Sequence, residues 1–276
     1  MDIRLLAEEE PWDWPEGAGA TLLRALMDEE AAADERLLAA ELAGDTTVIN
    51  DEIAEALLGI AGRSDAPDEL RCQAAISLGP SLEYEDTVDR EFDDDELLSE
   101  DVVRGIQNTL QRLHGDEDAP QDVRRRALEA SIRLPQEWHR KAVLDAYSSE
   151  DEAWRLSAVF AMRWVRGFED QILEALDSTD PEILYEAVCA AGNWELEAAW
   201  VRVAGFLESE DTDKELLLAA IEAAAWIRPG EAPELLDPLT DSEDEDVAAS
   251  AHEAIAMAAT LEGGEEEEEE EEEDDV

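Results

Sequence analysis

The stretch DEAWRLSAVFAMRWVR, residues 151–166, reads as one capped amphipathic helix that sets Trp154, Ala158, Ala161 and Val165 on a single face. That stripe returns along the chain. It recurs at Val123, Ala127, Ala130 and Leu134, at Ile183, Ala187, Ala190 and Trp194, and at Leu216, Ala220, Ala223 and Ile227. Val247, Ala251 and Ala254 repeat it once more, and Leu70, Ala74 and Ser77 form an earlier, weaker copy. The first small residues (Ala74, Ala127, Ala158, Ala187, Ala220, Ala251) stand 53, 31, 29, 33 and 31 residues apart. A period near 31 with one long interval is the pattern of stacked helical repeats, in which each unit buries its stripe against the next.

Turn chemistry follows the same period. Ser64-Asp65-Ala66-Pro67 supplies cap acceptors and a proline suited to a first helical turn, and Asp118-Ala119-Pro120 repeats it at the same nine-residue offset from the anchoring alanine. Residues 1–49 read as an N-terminal arm and capping helices, with Trp12 and Trp14 between Pro11 and Pro15. Residues 50–261 read as about six helix pairs, with an acidic insertion near 81–98 expected as a solvated loop. Gly263-Gly264 is expected to end the last helix, leaving 262–276 as a disordered polyacidic tail.

Acids number 76 against 20 bases, a net charge of −56; removing the eleven acids Glu265 to Asp275 still leaves −45, so the acidity belongs to the folded part as well. Two explanations compete. One is adaptation to a salty cytoplasm, where screening relieves carboxylate repulsion; the other is an acidic surface for a basic partner. Only Lys141 and Lys214 are lysines. Cys72 and Cys189 fall several repeats apart, too far for a bridge, which fits a reducing compartment. With no signal-peptide pattern and no run of 18 apolar residues, the expectation is a cytoplasmic protein, monomeric and off the membrane.

The order of turn acid, arginine, alanine and a further small or apolar residue resembles HEAT repeats, and most closely the short bacterial kind related to phycobilin-lyase repeats. Asp68, Arg71, Ala74, Leu78 and Gly79 carry it, as do Arg124, Ala127 and Ala130, and Arg155, Ala158 and Ala161; Leu184, Leu217 and Ala248 replace the arginine in later copies. Over residues 50–261 the resemblance implies an all-α fold, a right-handed α-α superhelix (HEAT-like solenoid). Its inner helices would line a concave face used for protein contacts. Scaffold resemblance alone does not assign a reaction.

Signatures of chemistry are sparse. His114, His139 and His252 include a single His-Glu step, His252-Glu253, too few for the di-iron ligand set of HEAT-like hydroxylases. Asp89, Glu91, Asp93 and Glu100 match an EF-hand spacing, but Asp94 occupies the glycine position. A duplex-binding role needs a basic face, and the net charge opposes it. Between Arg104 and Arg166, however, eleven bases face ten acids. Pairing of Arg124 and Arg155 with acids of neighbouring turns is one reading of that balance. A partner-binding patch of Arg124, Arg125, Arg126, Arg155 and Trp164 is the other. The expected function is a non-enzymatic protein-binding scaffold without cofactor or metal, its protein partner unidentified. The alternative is an acidic chaperone or nucleic-acid mimic that binds a basic protein through the tail and the insertion. A lyase-like accessory enzyme is a third possibility, without nameable pocket residues.

Overall fold

The computed structural model describes residues 2–87, 97–209 and 211–274, the side chains of 263–274 lying outside the description. Among them every regular element is helical. Met1–Ala142 and Val143–Val276 form two compact units.

In the first unit, α1 (Ile3–Leu6), α2 (Ala18–Met27) and α3 (Ala33–Leu42) precede α4 (Asp51–Gly62), α5 (Asp68–Ile76), α6 (Gly79–Thr87), α7 (Glu100–Gly115) and α8 (Gln121–Ser131). α4 pairs with α5, and α7 with α8. α3, α5 and α8 stack as one row, and α2, α4 and α7 as the other. Leu70, Ala74, Ser77, Val123, Ala127 and Ala130 are all buried, as their stripe requires. The expected loop near 81–98 is helical at its start: α6 packs on α8, with Ser81 and Leu82 buried and the Ser81 hydroxyl donating to the Leu78 carbonyl. Residues 88–96 of that insertion, and with them most of the EF-hand-like spacing, lie outside the described residues, as do the side chains of the expected tail beyond Glu262.

α9 (Glu137–Tyr147) carries the boundary. In the second unit, α10 (Glu152–Ala161), α12 (Pro181–Asn193), α14 (Lys214–Ile227) and α16 (Glu245–Asp274) each pack on the next. α11 (Glu169–Ala175), α13 (Trp200–Glu208) and α15 (Ala232–Leu236) flank them. Alanine sets the spacing of the row. A Cβ added to Gly192 would lie 2.9 Å from the Ala223 Cα, so α12 and α14 approach almost backbone to backbone.

Aspartates start these helices. The carboxylates of Asp151, Asp180, Asp213 and Asp244 accept backbone N–H groups of Ala153, Glu182, Leu216 and Asp246 at 2.9–3.1 Å, each such cap contributing about 1 kcal/mol. The Asp-Ala-Pro turns of the first unit work otherwise. Pro67 and Pro120 occupy the N-cap positions with no side-chain cap bond, and Asp65 is held by Arg63 at 3.0 Å. The helix expected to run to residue 166 stops at Ala161. The carbonyls just past its end are bonded from the end of the next helix of the row: the Trp194 indole donates to the Met162 carbonyl at 2.6 Å, and Asn193 Nδ2 to that of Arg163.

His139 is 1% exposed and fully engaged. Its Nδ1 accepts the Gln136 N–H at 2.8 Å, which leaves the proton on Nε2, facing Ser131 Oγ at 3.0 Å. Burial, assisted by nearby His114, pushes its pKa down to about 4. The imidazole is therefore neutral in the fold but charges near pH 6.5 once unfolded. Its contribution to stability is full above about 6.5 and is lost as pH falls towards 4. Imidazole NMR should find His139 neutral at pH 5, and denaturation midpoints should fall over that window; a titration near 6.5 would show the buried geometry to be wrong. For the row contact, Gly192→Val should cost about 1–3 kcal/mol. Gly205→Ala, where a Cβ meets nothing within 4 Å, should instead gain about 0.5–1 kcal/mol. Both are read from chemical denaturation.

Candidate functional site

The five residues expected to contact a partner divide between the units: Arg124, Arg125 and Arg126 on α8 in the first, Arg155 and Trp164 in the second. Arg124 Nε donates to the His114 carbonyl at 3.0 Å, near the C-terminus of α7. Arg71 does the same ten residues after Ala61, at the end of α4. The arginine of the repeat signature thus satisfies an open carbonyl at the negative end of its partner helix. That role follows from the ten-residue spacing across the turn, and Arg71 also pairs with Asp68 of its own turn at 3.3 Å. Arg125 is buried between Asp122 at 3.2 Å and Glu129 at 3.5 Å, while Arg126 bonds the other Glu129 oxygen. Glu129, 4% exposed, is neutralised from both sides. In the second unit Arg155 lies 5.7 Å from the Tyr147 ring centre, and half-buried Trp164 packs against Phe160 with Arg163 over its face.

The histidines do not converge. His114 and buried His139 flank Trp138 in the first unit, and His252 is exposed on α16 in the second. Among the described residues no group of three or more His, Cys, Asp or Glu side chains is placed to hold a metal ion.

A groove of about 700 Å³ opens along α12, α14 and α16. Cys189, Ala219, Ala249 and Ser250 supply small side chains, and Glu215, Glu222, Asp246 and Glu253 supply carboxylates. The helical row explains this arrangement. Cys189, Glu222 and Glu253 each stand two residues after their anchoring alanine, and Glu215 and Asp246 five before it. Arg163 enters at one side and pairs with Glu186 at 3.4 Å, while Lys214 bonds Asp246 at 2.7 Å. Glu215, Glu222 and Glu253 have no ion-pair partner among the described residues. Burial pushes the Cys189 thiol up, so it is not a thiolate nucleophile, and Tyr185 beside it is pushed up to about 12. The arrangement offers anionic and aromatic contacts. Of these carboxylates only Glu253 stands out in the sequence, through the His252-Glu253 step. The register relative to each alanine was the available signal, masked by acids on nearly every other turn.

No protein-family model matches the chain, and no curated protein matches it in sequence. Among solved structures it is similar to human deoxyhypusine hydroxylase in complex with glycerol, at 19% identity over 91% of this chain and 87% of that one, TM-score 0.42. An archaeal HEAT-like repeats protein from Thermococcus onnurineus is similar at 16% identity over 88% and 97% of the two chains, TM-score 0.41. Kap121p bound to Ste12p is similar at 14% identity over 88% of this chain and 27% of that one, TM-score 0.43. The all-α repeat character of the chain stands on its own packing.

Proposed function

We propose that the chain is a non-enzymatic, HEAT-like protein-binding scaffold whose groove along α12, α14 and α16 receives a cationic segment of a partner protein. The carrying observation is the set of carboxylates Glu215, Glu222 and Glu253, without an ion pair among the described residues, around a groove of about 700 Å³. Opposite charge there would steer encounter and fix register. A second recognition mode, in which Arg124, Arg125, Arg126, Arg155 and Trp164 hold an acidic partner, has less support. Arg125 and Arg126 are already committed to Glu129, and Arg124 to a helix end. The polyacidic segment after Gly264 would add long-range attraction for the same cationic partner, and the body's acidity would also suit a salty cytoplasm. Among the described residues no helix is long and apolar enough to cross a membrane. Kinship with the short repeats of the phycobilin-lyase type belongs to this proposal.

Fluorescence anisotropy with a labelled basic peptide tests the groove. Glu222→Gln with Glu253→Gln should weaken binding about tenfold, roughly 1.4 kcal/mol. Removal of 263–276 should mainly slow association at low salt. Binding lost with the tail and unchanged by the groove variants would favour the acidic-mimic alternative.

A further inference from the structure

Rings of the second unit repeatedly carry an arginine. Arg155 lies over Tyr147, Arg163 over Trp164, Arg166 over Trp194 and Arg228 over Trp200, with guanidinium carbons 4.6–5.7 Å from the ring centres. Trp226 departs from this pattern. It is 36% exposed near the end of α14, and among the described residues no cation lies over it. Trp226 stands six residues after Ala220, the register that Trp164 holds after Ala158.

Carboxylates outnumber arginines five to two in the two hollows beside it. One turn earlier on the same helix is Glu222, which shares with Trp226 a small recess of about 30 Å³ past Cys189 and Asn193; Arg163 also lines it and is paired with Glu186. On the other side a second hollow, about 780 Å³, sets Trp226 with Glu195, Glu197 and Glu262, its one arginine, Arg228, being paired with Glu231 at 2.8 Å. The indole, 36% exposed, therefore stands where two carboxylate-bearing hollows meet.

An indole face attracts any cation, but only guanidinium is planar, stacks on the ring and presents paired N–H donors to a carboxylate at its edge. An ammonium group satisfies the charge and not the stack. We infer that Trp226, together with Glu222, receives an arginine side chain of the cationic segment, so that the groove selects arginine over lysine. The inference rests on the groove reading above and adds to it a specificity-determining residue.

Two short peptides of one sequence, differing only in arginine or lysine at the basic positions, are titrated calorimetrically into the full chain. About 1 M salt shortens the screening length to about 3 Å, so the overall negative charge alone does not hold them. The arginine peptide should bind about tenfold tighter. Trp226→Leu should cost that peptide about five- to tenfold and abolish the preference, while Trp226→Phe, which keeps a ring face, should retain part of it. Unchanged helical circular dichroism establishes that the variants are folded. Equal affinities in the unaltered protein, or a preference that survives Trp226→Leu, would overturn the inference. If Glu215→Gln and Glu253→Gln weaken both peptides equally and Trp226→Leu changes neither, the groove stands and the arginine preference alone falls. If neither peptide binds, both fall together.

Discussion

Everything in the second unit depends on how closely the alanine-striped helices approach. Gly192 meets Ala223 so tightly that a single methyl group on the glycine would reach the opposing backbone. At that spacing the larger side chains are displaced from the contact line to its flanks. Two residues beyond each anchoring alanine the helix surface turns outward, and Cys189, Glu222 and Glu253 emerge there side by side. Core and groove are two faces of one helical register.

Charge in this protein divides by environment. Asp151, Asp180, Asp213 and Asp244 are consumed as helix caps, where a carboxylate meets open N–H groups and the positive end of the dipole. Arg71 and Arg124 serve the opposite ends, bonding carbonyls of the preceding helices. Glu129 is neutralised by two arginines because a buried carboxylate without partners would cost several kcal/mol, on the order of 3–5. What remains for recognition is the set of acids that neither caps nor pairs. A net charge of −56 conveys little about binding until those structural uses are set aside.

Arginine shows the same division. A basic stretch such as Arg124–Arg126 looks available for binding while the chain is a string of letters. Folded, Arg125 lies within the helix packing and Arg124 reaches back across a turn. Such reach is invisible to counting along the chain, because it depends on where the preceding helix ends. Trp226 is the converse case: a large aromatic residue near the end of an alanine-striped helix that is left 36% exposed.

The sequence by itself determined that the chain is helical and repetitive, and which residues face inward. Helical periodicity and alanine's small size are local properties, and they alone predict the buried stripes at Ala127, Ala158, Ala187, Ala220 and Ala251. Tertiary structure alone decided which polar groups were spent on the fold. The stop of α10 at Ala161 depends on Trp194 and Asn193 of a later helix, the α6 helix on burial against α8, and the neutrality of His139 on Ser131 and Gln136. Each is a hydrogen bond or contact between elements, and pairings of that kind have no period along a chain.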